Sequence, residues 1–164
     1  VFQSVIRGGA IPNEFIPGVE EGVRQALKNG PLSGYPMIDM NVKLVDGSYH
    51  EVDSSRMAFE VAGSMAVKSA VQKGRPVLLE PVMKLEVITP GDFLGDVLGD
   101  LSRRRGQVRN LEGVGDTQVV QASLPLGESF GYANSLRSLT QGRASYSMEF
   151  ESYEEAPQSV IEAL

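Results

Sequence analysis

Between Pro81 and Phe150 the chain runs strand, helix, strand, strand, helix, strand, an order that few folds accept. Met83, Leu85 and Val87 alternate with Lys84 and Glu86, the period of a strand with one buried face. Pro90-Gly91-Asp92 opens a helix, with Asp92 suited to the positive end of its dipole. Phe93, Val97, Leu98 and Leu101 would face inward, and Gly106 ends the helix. Residues 107–111 resume strand spacing, 112–116 read as a hairpin turn and 119–124 as the return strand. Pro125-Leu126-Gly127 leads into a second helix with Phe130, Ala133, Leu136 and Thr140 on one face and Gly142 at its end. Tyr146, Met148 and Phe150 alternate as the last strand, and Ala156-Pro157 starts a terminal helix through Val160, Ile161 and Leu164. The order β-α-β-β-α-β within about 70 residues is the split βαβ, or ferredoxin-like, plan.

The first eighty residues follow another pattern. Residues 1–7 alternate as a strand that Gly8-Gly9 ends. Pro17 suits the first turn of a helix, where its missing N–H costs nothing, and Val19, Val23, Ala26 and Leu27 give that helix one apolar face. Gly30-Pro31 is expected to stop it, with Gly30 as a left-handed cap. Ile38, Met40, Val42 and Leu44 alternate with polar residues, which predicts a strand ending at an Asp46-Gly47 turn. The longest helix is expected over 54–73, burying Ala58, Val61, Ala62, Met65 and Ser69, with small Gly63 and Ala66 permitting close packing. Gly74 and Pro76 end it before a short apolar run, Val77-Leu78-Leu79. Three strands with two helices make a thin α/β layer. With an opening Val1-Phe2-Gln3-Ser4 that reads as a cut edge, further strands are expected upstream. The fold class expected is therefore α+β in two domains, 1–80 and 81–164, with Glu80-Pro81 as the boundary.

Hydrophobic residues at 41% and charged ones at 22% describe a soluble globular protein. Without cysteine there are no disulfides or thiolate metal sites, and a single histidine leaves a zinc site short of ligands. No metal or cofactor is expected on the chain, no apolar run suits a membrane span, and a reducing, cytoplasmic compartment is the expectation. A net charge of −6 argues against a nucleic-acid partner, but the distribution weakens that argument. Residues 81–148 hold seven bases (Lys84, Arg103, Arg104, Arg105, Arg109, Arg137, Arg143) against seven acids, whereas 149–164 hold five acids and no base. Six of the seven are arginine, the side chain suited to bidentate phosphate contact. Local field outweighs the total.

The only histidine lies in Asp46-Gly47-Ser48-Tyr49-His50-Glu51-Val52-Asp53-Ser54-Ser55, between a strand and the long helix. Asp53, Ser54 and Ser55 are all good N-cap residues, so His50 falls at an exposed junction of two regular elements. Ser48, His50 and Asp53 on one turn do not make a hydrolase triad, which needs convergent side chains and an oxyanion site. Taken alone, His50 reads as a solvated loop residue, and a His–Tyr pair at a protruding tip suits RNA stacking and hydrogen bonding. Arg103-Arg104-Arg105 stabilises a helix C-terminus and leaves a basic rim to spare, while Arg137 with Thr140-Gln141-Gly142-Arg143 forms a second cluster. Gly91, Gly95 and Gly99 fall within a helical pattern with no following Lys-Ser/Thr, so no nucleotide-binding loop is present.

Several stretches together resemble the C-terminal part of bacterial-type elongation factor G, the translational GTPase that drives translocation on the ribosome. They are Gly30-Pro31-Leu32-Ser33-Gly34-Tyr35-Pro36, the histidine loop itself, and Leu79-Glu80-Pro81-Val82-Met83-Lys84. Gly95-Asp96-Val97-Leu98-Gly99-Asp100-Leu101 with Arg104-Arg105-Gly106, and Thr140-Gln141-Gly142-Arg143, continue the match along essentially the whole chain. The sequence departs from the family pattern at Leu126-Gly127-Glu128-Ser129-Phe130 and at Arg103.

The resemblance implies that 1–80 is most of the fourth domain, with a ribosomal-protein-S5-like α/β fold lacking its first strands. It implies that 81–164 is the ferredoxin-like fifth domain with a C-terminal helix. It implies a tip, carried here by Ser48, Tyr49, His50 and Glu51, that reaches the small-subunit decoding region and touches tRNA and mRNA as they move from A to P site. It assigns contacts with large-subunit RNA, near the sarcin–ricin loop and the L11-binding region, to Arg104, Arg105, Gln141 and Arg143. GTP, Mg and the GTPase chemistry belong to an N-terminal domain outside this chain, so the segment itself is not expected to be an enzyme. A monomer is expected. A recycling or back-translocating paralogue, or a standalone ferredoxin-like ligand-binding domain, are the alternatives.

Overall fold

The alternation near Val1 and Val42 yields two short strands, β1 (Phe2–Ser4) and β2 (Val42–Leu44), which pair in parallel with Phe2 opposite Val42 and Ser4 opposite Leu44. The computed structural model describes residues 1–164, and its contacts divide at Val77/Leu78 into two units. In the first unit, α1 (Ile16–Lys28) follows β1 and α2 (Arg56–Lys73) follows β2. Pro17 lies in the first turn of α1, and Ser55 caps α2 by accepting a hydrogen bond from the Ala58 N–H at 3.1 Å. Ile11, Val19, Val23, Ala26, Phe59, Val67 and Val71 form the core, with Phe2, Ile6, Val42 and Leu44 packed against it.

The buried face of α2 differs from the expectation. Phe59, Gly63, Val67 and Val71 face α1, whereas Ala58, Val61, Ala62, Met65 and Ser69 lie on the exposed side, Met65 at 66%. Apolar residues occur on several sides of this helix, so their period alone cannot select the face. Glycine selects it. A Cβ on Gly63 would stand 2.7 Å from the Val19 carbonyl oxygen, one on Gly18 equally close to that of Arg56, and one on Gly22 would collide with that of Glu60.

Other local expectations are corrected. Asp39 adopts a left-handed φ of 55°, which cuts the expected strand over 38–44 to three residues. Gly30 and Gly47 do not use positive φ. The Gly30 N–H donates to the Tyr35 carbonyl at 2.9 Å, with no room there for a side chain, and Gly47 admits the end of Ile11 against its Cα.

In the second unit a four-stranded antiparallel sheet has the order β4-β5-β3-β6. Its strands are β3 (Leu79–Pro90), β4 (Gln107–Val114), β5 (Thr117–Pro125) and β6 (Ser145–Glu155). With α3 (Leu94–Arg103) between β3 and β4, and α4 (Tyr132–Leu139) between β5 and β6, the ferredoxin-like plan is complete. Leu85, Val87, Val97, Leu101, Val120 and Leu124 are fully buried, each worth about 1.5–3 kcal/mol against exposure. Leu79 to Pro81 belong to β3, so the separate strand expected at 77–79 is absent and Glu80-Pro81 lies inside an element rather than between domains. The β4–β5 hairpin turns on Gly115-Asp116 alone, with Gly115 at φ 62°. Left-handed Gly131 leaves Phe130 outside α4 and 77% exposed, so Tyr132, not Phe130 or Ala133, joins Leu136 and Thr140 in the core. The terminal helix α5 (Gln158–Ile161) is one turn long. No helix is long and apolar enough to cross a membrane.

Candidate nucleic-acid interface

The β2–α2 loop leaves the sheet at Leu44, and two serines at its end set its path. Ser55 caps α2, while Ser54 Oγ accepts a hydrogen bond from the His50 N–H at 3.0 Å. The His50 carbonyl in turn accepts from the N–H groups of Asp53 at 3.2 Å and Ser54 at 3.0 Å. His50 is thus pinned by its main chain, and its imidazole stays exposed beside exposed Ser48 and Glu51. Tyr49 is 38% exposed because one face of its ring lies on Phe15, at 5.7 Å between centroids and 28° between planes. Phe15 continues onto Phe59 at 5.0 Å and 17°. The structure therefore brings Ser48, Tyr49, His50 and Glu51 to one surface loop, with Tyr49 as its anchor and His50 as its free side chain. Ser48, His50 and Asp53 form no hydrogen-bonded chain of side chains. Phe15, the residue just before the helix that starts Ile16-Pro17, meets Tyr49 and Phe59 from segments distant in sequence, a contact that no local spacing announces.

In the second unit the three consecutive arginines, of which Arg104 and Arg105 are expected to contact RNA, divide into two groups. Arg103 is 74% exposed, touching Asp100 at only 3.4 Å. Arg104, 17% exposed, is turned inward: Nε donates to Asp100 Oδ2 at 2.9 Å, Nη1 to the carbonyls of Glu128 and Phe130 at 2.7 and 3.1 Å, and Nη2 to Ser135 Oγ at 2.8 Å. Arg105 adopts φ 58° and pairs through Nη2 with both carboxylate oxygens of Glu80, at 2.7 and 2.8 Å. Its Nε lies 3.5 Å from Glu128 Oε1, close enough for charge attraction but without hydrogen-bond geometry. The Asp100–Arg104 pair also had a sequence signal, since Asp and Arg four apart on a helix are neighbours.

Gln141 and Arg143 stay on the surface at the end of α4, and Arg137 is exposed one turn earlier. The Arg143 guanidinium stands 5.7 Å from the Phe93 ring centroid, a cation–π distance. Gln141 is left-handed at φ 53°, followed by Gly142 at 75°, whose N–H closes the helix on the Arg137 carbonyl at 2.8 Å. The same closure ends α3, where the Gly106 N–H donates to the Leu101 carbonyl at 2.8 Å behind left-handed Arg105. Both helices thus end on a non-glycine residue in a conformation that costs about 1–2 kcal/mol, and such strain gathers at functional sites.

Comparison with known proteins bears on both units. Residues 1–75 match the family model of elongation factor G, domain IV, and residues 77–164 match that of the elongation factor G C-terminus. A crystal structure of a protein from Thermus thermophilus is similar over 99% of this chain at 41% identity, with a TM-score of 0.86. This chain spans 24% of that protein's length. The chain belongs to the elongation factor G family, of which it carries domain IV and the C-terminal domain.

Proposed function

We propose that this segment is the ribosome-binding module of an elongation factor that moves tRNA and mRNA from A to P site. The observation that carries the proposal is the pinned loop with a free imidazole at its surface. The His50 main chain is fixed by Ser54 while its side chain is uncommitted. Such a group can hydrogen-bond RNA backbone or stack on a base without a large ordering cost. The role is mechanical: His50, with Ser48 and Glu51 beside it, blocks return of the tRNA–mRNA pair once it has moved. No bond is made or broken here, and GTP hydrolysis would belong to a part of the factor beyond this segment.

Large-subunit RNA is the proposed partner of the second unit. Gln141 and Arg143 offer the exposed polar groups, with exposed Arg103 and Arg137 adding positive charge. Arg104 and Arg105, matched by the same family motif, stand behind this surface, Arg104 with four of its five donors engaged and Arg105 held to Glu80 through Nη2.

Chemical footprinting of ribosomal RNA with the 164-residue chain bound tests the proposal. Protection in the decoding region that is lost in His50→Ala, and in the sarcin–ricin loop that is lost in Arg143→Ala, is the expected result. Absence of binding, or protection confined to other regions, would count against it.

A further inference from the structure

Arg104 joins two parts of the second unit that the chain itself connects poorly. Helix α4 has eight residues, no side-chain hydrogen bond at its N-cap, and left-handed Gly131 immediately before it. Two turns are too few to hold together in isolation, so the start of α4 needs an external tie. The Arg104 guanidinium supplies three contacts there, to the Glu128 and Phe130 carbonyls and to Ser135 Oγ, and a fourth to Asp100 on α3. The Tyr132 ring closes the site from one side, 5.4 Å from the Arg104 Cζ.

Donor accounting separates this role from phosphate binding. A guanidinium has five N–H donors, and these four bonds use Nε, both hydrogens of Nη1 and one of Nη2. A bidentate phosphate contact needs two parallel free donors on one edge, and a single N–H remains. We infer that Arg104 is a positioning residue that fastens the start of α4 to the end of α3 and so aims Arg137, Gln141 and Arg143 at their ligand. What the aimed helix meets rests on the function proposed above, but the clamp itself does not. Lysine cannot replace it, because one ammonium cannot reach Asp100, two carbonyls and Ser135 together.

Backbone amide exchange over 129–135, with binding of the chain to purified large ribosomal subunits across a KCl series, tests the inference. Arg104→Lys is expected to speed exchange over 129–135 by on the order of tenfold, the scale of about one lost charge-assisted hydrogen bond, while β3 and β5 keep their protection. Ser135→Ala, which removes one contact and leaves the fold intact, should give a smaller change in the same direction. Both variants should weaken binding without altering its salt slope, whereas Arg143→Ala should lower the slope by about 0.7–0.9. Unchanged exchange over 129–135 in Arg104→Lys overturns the clamp, as does a salt slope reduced by about one in that variant. If the unaltered chain fails to bind subunits, the proposed function falls, and the exchange measurement alone decides the clamp.

Discussion

Tyr49 lies on Phe15 at 5.7 Å, and through it on Phe59, so the residue before the free histidine is tied to the core of its unit by three stacked rings. A stacked pair contributes about 0.5–1.5 kcal/mol beyond burial. Tyr49→Ala loses this and the buried area of the ring as well, so it should destabilise the first unit by about 2 kcal/mol or more and speed amide exchange at His50 and Ser54. Tyr49→Phe keeps the stack and should leave both unchanged. Thermal unfolding and exchange measured together check this. Equal effects from the two substitutions would show that the hydroxyl, not the ring, is what matters.

Glycine holds α1 and α2 at close range. A Cβ on Gly22 has no place beside the Glu60 carbonyl, so Gly22→Ala should force the helices apart. The substitution gains about 1 kcal/mol of helix propensity but overpacks by more, and a net loss of about 2 kcal/mol is expected in denaturant titration. Gly95→Ala, on α3 with open space around it, should instead be neutral or stabilising.

Gln141 holds a left-handed conformation that glycine adopts without steric cost. Gln141→Gly should raise the stability of the second unit by about 1 kcal/mol while weakening attachment to large ribosomal subunits. A variant that gains stability and binds as before would remove Gln141 from the interface.

Tyr132 is buried with its hydroxyl unpaired, and burial, aided by the Asp100 carboxylate, pushes its phenol far above the usual value of 10.0. Above pH 10 the unfolded chain loses this proton before the folded one does, so stability falls as pH rises. Below pH 10 the contribution is complete. Tyr132→Phe removes an unpaired buried group, should be neutral or stabilising by up to about 1 kcal/mol at neutral pH, and should flatten the decline above pH 10. Chemical denaturation from about pH 8 to about pH 11, spanning the ordinary tyrosine range, reads both effects.

The second unit was largely legible because its strands alternate cleanly and its helices are bounded by Pro and Gly at both ends. Phe130 misled because the break at Gly131 depends on backbone angle, which residue type alone does not specify. In the first unit, α2 carries apolar residues on several sides, and its contact face was set by glycines approached by the other helix. Such a contact lies between residues distant in sequence. The tip loop was legible as a junction with several capping residues, but not the division of labour within it. That Tyr49 anchors and His50 stays free follows from Phe15, far earlier in the chain. Likewise Arg103, Arg104 and Arg105 are one cluster on paper, and partners on distant segments turn two of them inward.

At the centre stands the claim that His50 acts at the decoding region without taking part in nucleotide chemistry. Single-turnover translocation on purified ribosomes tests it, using the whole factor with and without His50→Ala and following GTP hydrolysis in the same samples. Translocation slowed at least about tenfold, equivalent to roughly 1.4 kcal/mol of barrier, with hydrolysis at its normal rate, is the predicted result. Normal translocation in the variant would contradict the account and leave His50 a solvated loop residue.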